Sequence, residues 1–315
     1  MSDAICVEEL TKTYLVGKGR PPLTAVDGIR FSVQAGEVFG FLGPNGAGKT
    51  TTIRMLTGLS RPSSGCATLL GLNLARDLPH IKKRIGVVPE TSNLYDELTA
   101  FDNLIFSMQL YGVPRRERKE RAQALLERFR LGEKRDTPFA KLSRGMKRAL
   151  TIAAALAHLP PLIFLDEPTT GLDVMSARSL RQMIAGLRSE GVTVFLTTHY
   201  LEEAERLCDR IAVIVKGRIV ALDTVDGLKA GSQEKTIVEL TLEDFEGRQE
   251  KKRFECDDGV EAAVQRSLAE TNGRRVLAVN TLRPSLEDVF IRLTGLSAET
   301  MLVDKGGKGG GNAGG

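Results

Sequence analysis

The chain of 315 residues contains no stretch approaching the ~18–20 consecutive apolar residues of a membrane-spanning helix. The nearest, residues 149–165, is interrupted by His158, Pro160 and Pro161 and reads as a core helix, a turn and a buried strand. If the protein serves a membrane, the spanning part is expected to be another chain. Met1-Ser2-Asp3-Ala4 lacks a basic segment followed by an apolar one, so no secretory signal is expected. Cysteine is sparse: Cys6, Cys66, Cys208 and Cys256 stand alone, with no Cys-x-x-Cys pair of the kind that holds a metal. Free thiols fit a reducing cytosol, and Cys66 and Cys208, among apolar neighbours, are expected in the core. The net charge of +4 is too small to argue for nucleic acid, and no nucleic-acid partner is expected. The run Arg115-Arg116-Glu117-Arg118-Lys119-Glu120-Arg121 mixes signs and reads as the solvated face of a helix. There is no internal repeat and no sustained heptad pattern.

Against this background one stretch stands out. Gly43-Pro44-Asn45-Gly46-Ala47-Gly48-Lys49-Thr50 has the spacing of a phosphate-binding P-loop. The apolar run Val38-Phe39-Gly40-Phe41-Leu42 before it reads as a buried strand, and Thr51-Thr52-Ile53-Arg54-Met55-Leu56 after it opens a helix. Glycines let the backbone approach a ligand, and the freed N–H groups with the helix N-terminus form a concave anion site. In such a loop Lys49 reaches the β- and γ-phosphates and the Thr50 hydroxyl faces Mg²⁺.

The rest of the chain falls into three parts. Residues 5–10 read as an edge strand, with further strands at 29–33, 65–71 and 85–89. From about 91 to 160 helical periodicity dominates, as in Leu104, Met108 and Tyr111, which reads as a helical insertion in a nucleotide-binding core. Strands resume at 162–165, 192–197, 211–215 and 218–222, the last two joined by Lys216-Gly217 as a two-residue hairpin. Composition shifts after Leu228: residues 229–300 read as a small α+β domain, and the Gly-rich residues 301–315 are expected to be disordered.

Residues beyond the insertion narrow the nucleotide chemistry. Asp166, ending the run Leu162-Ile163-Phe164-Leu165, can hold Mg²⁺ beside the P-loop hydroxyl. Glu167, one step on, can polarise a water as general base. Leu142-Ser143-Arg144-Gly145-Met146-Lys147-Arg148 precedes an Ala-rich helix that Ser143 can cap, leaving N–H groups for an anion. Pro168-Thr169-Thr170-Gly171-Leu172-Asp173 is a turn after Glu167, and His199 ends a strand expected beside Asp166, where it can touch a γ-phosphate.

Together these motifs resemble the nucleotide-binding subunits of ABC transporters, most closely the ABC-2 type exporters, over about residues 4–228. The resemblance implies an α/β P-loop NTPase cassette: a mixed sheet core, antiparallel edge strands and a helical subdomain, followed here by the C-terminal α+β extension. It implies that residues 43–51 are Walker A, that Asp166 with Glu167 ends Walker B, and that residues 142–146 are the signature. Residues 171–173 become the D-loop, His199 the switch histidine and Tyr14 the aromatic that stacks on adenine. The implied ligands are ATP and Mg²⁺, cradled by residues 43–51. The implied partners are a second copy, arranged head to tail so that Ser143 and Gly145 of one subunit complete the site of the other, and a separate transmembrane permease. The implied location is the cytoplasmic face of the cell membrane. Two departures matter: Glu90 stands where the family has a glutamine, and Arg144 and Met146 replace Gly and Gln in the signature. An ionised Glu90 can ligate Mg²⁺ but cannot donate a hydrogen bond. The end of the extension, from Arg283-Pro284-Ser285 onward, is similar to the C-terminal extensions of those export ATPases. The alternatives are a soluble ABC ATPase of translation or DNA repair and a binding-only regulator. The single cassette, the lack of heptads and the intact Lys49, Asp166, Glu167 and His199 stand against them.

Overall fold

The computed structural model describes residues 3–15, 17, 21–230, 237–243, 249–256, 259–269, 271, 274–282 and 285–295. They fall into two compact units that divide between Thr224 and Val225. In the first unit the order is β1 (Asp3–Tyr14), β2 (Leu23–Gln34), β3 (Val38–Leu42), α1 (Lys49–Leu56), β4 (Ser64–Leu69), β5 (Leu72–Asn73), α2 (Leu78–Lys82) and β6 (Ile85–Val88). It continues with α3 (Ala100–Leu110), α4 (Arg115–Arg128), α5 (Arg144–Leu156), β7 (Leu162–Asp166), α6 (Val174–Ser189), β8 (Thr193–Thr198), α7 (Leu201–Leu207), β9 (Arg210–Val215) and β10 (Arg218–Thr224).

Two sheets form this unit. The larger runs β10-β9-β3-β8-β7-β6; its five strands from β9 to β6 are parallel, and β10 is antiparallel at the edge. Every residue of β3, β7 and β8 is buried, as continuous apolar strands covered on both faces require. Strand register carries Leu42, Asp166 and Thr198 to the same end of the sheet, because Leu42 pairs with Thr198 and Asp166 with Thr197. The chain turns from β9 to β10 at Lys216-Gly217, both with positive φ (48° and 82°), the two-residue hairpin geometry.

The smaller sheet is antiparallel, in the order β2-β1-β4-β5. Phe31 of β2 stacks on Phe39 of β3 at 5.5 Å, and Phe41, Phe164 and Phe195 complete an aromatic cluster that joins the two sheets in one core. Here two expectations fail. Residues 5–10 are not an edge strand: β1 has β2 on one side and β4 on the other, because β4 folds back after α1 to pair with it. Cys66 is not a core residue: it lies on the exposed first half of β4 with its Sγ 3.6 Å from Glu8 Oε2, whereas Cys208 is buried.

The segment between β6 and β7 is helical. Thr99 caps α3 and Ser143 caps α5, each accepting a backbone N–H three residues on. α4 begins with the mixed-charge run on its exposed side and buries Ala122, Leu125 and Leu126.

The second unit contains α8 (Val225–Ala230), β11 (Ile237–Glu243), β12 (Gln249–Glu255), α9 (Val260–Ala269), β13 (Arg275–Leu282) and α10 (Leu286–Thr294). Its sheet, β12-β11-β13, is antiparallel and packs Val238, Leu240 and Leu242 against Ala263 of α9. Ser285 and Asp288 form a reciprocal capping box at the start of α10. The Gly-rich residues 301–315, and Arg283 with Pro284, lie outside the described residues.

Candidate nucleotide-binding site

The loop from β3 to α1 is shaped by its glycines. Gly48 has φ 112°, and a Cβ there would sit 2.6 Å from the Ala25 carbonyl oxygen, so no larger residue fits. No side chain caps α1, and its first turn holds no acidic residue, so its leading N–H groups are left open to an anion.

Lys49 is only 5 % exposed and bends back over the loop. Its Nζ donates to the carbonyls of Gly43 (2.6 Å) and Pro44 (3.2 Å) and lies 3.3 Å from Glu167 Oε1. Burial pushes its pKa down from the ordinary lysine value, opposed by the Glu167 carboxylate. Asp166, also buried, accepts from the hydroxyls of Thr197 (2.6 Å) and Thr50 (3.4 Å). Its burial pushes its pKa up, while those two hydroxyls pull it back down.

Glu167 takes a left-handed backbone conformation (φ 49°), rare for a residue with a side chain and common where a site re-aims one. Its N–H donates to both the carbonyl and the hydroxyl oxygen of Thr197, each at 3.1 Å. The turn brings its carboxylate between the Lys49 ammonium on Oε1 and the His199 ring, with Nδ1 2.7 Å from Oε2. The His199 contact is an ion-pair distance without hydrogen-bond alignment. Burial works to raise the Glu167 pKa, but His199 and Lys49 together outweigh it and hold the carboxyl below its ordinary value.

One pocket gathers Pro44, Asn45, Gly46, Gly48, Lys49, Thr50, Thr51, Glu90, Glu167 and His199. Gly43 and Ala47 are tied to it: the Gly43 carbonyl accepts from Lys49 Nζ, and the Ala47 N–H donates to the Pro44 carbonyl. Asp166 joins it through Thr50. The other expected residues are placed elsewhere. Tyr14 ends β1, 36 % exposed, with the Lys12 ammonium 5.0 Å from its ring centre. Ser143 is exposed at the start of α5, and Gly145 packs close to Ser176, where an added Cβ would lie 2.5 Å from Ser176 Oγ. Asp173 is exposed and caps α6, accepting from the Ser176 N–H at 2.9 Å. None of these four lines the pocket.

Three participants escape the sequence reading. Ala25 of β2 lines the pocket, and nothing in its sequence surroundings marks it. Thr197 serves both Asp166 and Glu167; its signal is a hydroxyl at the end of a buried strand. Arg148 donates to the carbonyls of Asp166 and Pro168; it closes the basic first turns of α5, where nothing in the sequence sets it apart from Arg144 and Lys147.

The donor set suits Mg²⁺. Thr50, Asp166 and Glu90 offer hard oxygens around the pocket, and among the described residues no group of three or more His, Cys, Asp or Glu could cage a metal alone.

A P-loop, a histidine at the end of the neighbouring parallel strand and paired carboxylates one strand further define a nucleoside-triphosphate hydrolase. Comparison with known proteins sharpens this. The ABC transporter family model matches residues 26–170. The chain is 38% identical to a Nod factor export ATP-binding protein of Ralstonia nicotianae, over 92% of this chain and 94% of that protein. It is 40% identical to a daunorubicin/doxorubicin resistance ATP-binding protein of Streptomyces peucetius, over 87% and 89% of the two. Among solved structures, an ATP-binding subunit of an ABC transporter aligns with TM-score 0.64 and 32% identity, over 72% of this chain and 92% of that one. A dimeric ATP-binding cassette in a post-hydrolysis state, bound to ADP and Pi, aligns with TM-score 0.65 and 26% identity, over 70% and 98%. The chain therefore belongs to the ABC transporter family, in its ABC-2 exporter group, and is an ATP-binding, ATP-hydrolysing subunit.

Proposed function

We propose that two copies of this chain close head to tail on two ATP molecules and that the cycle of closure and hydrolysis drives a separate exporter permease at the cytoplasmic face of the membrane. The observation that carries this is the convergence of Lys49, Asp166, Glu167 and His199 at one end of one parallel sheet. The roles follow from the contacts. The loop amides and Lys49 hold the β- and γ-phosphates, for which Lys49 exchanges its Glu167 contact. Thr50, Asp166 and Glu90 hold Mg²⁺, which when bound neutralises phosphate charge. Glu167, whose carboxyl is held below its ordinary pKa, accepts a proton from the attacking water, and His199 contacts the γ-phosphate. Tyr14, exposed beside the pocket-lining strand β2, stacks on adenine.

The second copy is supported by what the first leaves outward. Ser143 and Asp173 are exposed, and Val174 (79 %) and Met175 (71 %) beside Asp173 are large apolar groups in solvent. In the dimer Ser143 and Gly145 of one copy meet the γ-phosphate held by the other. No described helix is long and apolar enough to cross a membrane, consistent with a separate permease. That partner docks in the groove beside Glu90, between Val87, Leu94, Tyr95, Phe106, Leu110 and Tyr111. The unit that begins at Val225 is an accessory domain with a core of its own, around Val238, Leu240 and Leu242. The test is Mg²⁺-dependent phosphate release by the chain, stimulated when it is purified with its permease. A chain that binds ATP but never releases phosphate, even with a co-purified membrane protein, would remove the ATPase role.

A further inference from the structure

Helix α5 carries two arginines one turn apart, and both reach the segment that follows β7. Arg148 is 7 % exposed. Its Nε donates to the Pro168 carbonyl at 2.8 Å, and its Nη2 to the Asp166 carbonyl at 2.7 Å. Its Nη1 donates to the carbonyl of Pro89 and, at 3.3 Å, to that of Glu90. Four carbonyls from three places therefore meet in one guanidinium: the end of β7, the turn beyond Glu167, and the segment after β6. Only arginine has enough donors in a fixed plane for this; a lysine offers a single point of charge. Burial pushes its pKa down to about 10, which still leaves it protonated at neutral pH. Arg144 lies on the same face of the helix, four residues earlier. Its guanidinium covers Gly171, where an added Cβ would sit 2.3 Å from Nη2. A third tie is the Ser92–Thr151 hydroxyl contact of 2.8 Å, between α5 and the segment after Glu90.

The roles assigned to the pocket residues use none of these bonds, yet their position is telling. Ser143, at the N-cap of α5, is the residue read as meeting the partner's nucleotide. Arg148 is five residues away along a rigid helix, about 7.5 Å of rise. At the other end of its hydrogen bonds are the backbone of the metal-side carboxylate and the residues flanking the general base.

We propose that Arg148 is a positioning residue that joins the signature end of α5 to the backbone around Asp166, Glu167 and Glu90, so that docking of Ser143 on the partner's nucleotide aligns the carboxylates of its own chain. This rests on the two-copy reading above. Without the tether, α5 can still dock and each pocket still binds ATP, but the carboxylates no longer follow.

The experiment compares the full chain with R148K, R148Q and E167Q, measuring ATP hydrolysis, ATP affinity and thermal melts. R148K is expected to melt cooperatively and to bind ATP within about threefold of the parent, while kcat falls about a hundredfold, as a displacement of the order of 1 Å does. R148Q, uncharged and with fewer donors, is expected to fall at least as far. Hydrolysis by R148K within about threefold of the parent would overturn the proposal. So would a loss of ATP affinity as large as the loss in kcat, which marks a binding or scaffold role. Failure of both variants to melt cooperatively makes Arg148 a scaffold residue and overturns it equally. An active parent beside an inactive E167Q that doubles its mass in solution with ATP and Mg²⁺ confirms the underlying two-copy reading, so an active R148K then sinks the tether alone. An inactive parent sinks the ATPase reading, and this proposal with it.

Discussion

The two ends of the nucleotide machinery on this chain are built in opposite ways. The P-loop end is buried and already assembled: Lys49, Asp166, Glu167 and His199 are each under 10 % exposed and held by short contacts. The signature end is open: Ser143 and Asp173 face solvent, Val174 and Met175 beside them are uncovered, and their hydrogen bonds serve only to cap α5 and α6. A group meant to act inside its own chain is enclosed by it. A group left polar, capped and exposed beside apolar neighbours is what the proposed two-copy site requires.

The sharpest break in this contrast is expected at the enclosed end. Glu167→Gln removes the carboxylate that holds Lys49 and His199 but keeps its shape. Turnover should fall by about 10²–10⁴, the range for a lost general base, while ATP still binds and the closed pair accumulates. Phosphate-release kinetics read the loss; a turnover near that of the parent would remove Glu167 as base.

The open end is probed by Ser143→Asp. Aspartate caps a helix as well as serine, so the melting temperature should hold, while a carboxylate facing the partner's phosphates should cut turnover about tenfold or more. Single-chain ATP affinity should not change. Mixing this variant with Lys49→Ala should recover hydrolysis, since each supplies the half the other lacks. A mixture no more active than its parts would set the two halves in one chain.

Smaller effects separate the supports. Thr197→Val takes a 2.6 Å hydrogen bond from the buried Asp166 and an acceptor from the Glu167 N–H. It should cost about 1–3 kcal/mol in urea unfolding without altering the exposed end. Beyond the far end of α5, burial holds the His158 ring at about 4, while it stacks on Tyr111 and contacts the Ile85 carbonyl through Nε2. The folded-state value is depressed below 6.5, so the folded chain favours the neutral ring. Its share of stability is present above pH 6.5 and drains away between pH 6.5 and 4. His158→Gln should flatten that slope by about 1 kcal/mol, discounted for partial exposure.

Much of the enclosed end was legible in the sequence because its residues are contiguous or tied to strand ends. The glycine spacing before Lys49, the apolar run into Asp166 and the strand before His199 each announce their own geometry. What stayed hidden depends on contacts between distant segments. Thr197 and Arg148 look ordinary locally and matter only because β8 lies beside β7 and α5 reaches three loops. The same blindness explains the fold errors: β1 reads as an edge until β4 returns to pair with it, and Cys66 reads as core until that return leaves the first half of β4 exposed. The exposed end was legible only through family resemblance, since an N-cap serine and a D-loop aspartate look the same whether or not another chain meets them.

The central claim is that the second half of each site comes from another copy. The most direct measurement is the mass in solution of Glu167→Gln with ATP and Mg²⁺. The account predicts a species of twice the 34.3 kDa chain that holds two ATP and reverts to single chains when nucleotide is removed. A 34.3 kDa species saturated with ATP, unchanged at any protein concentration, would contradict it.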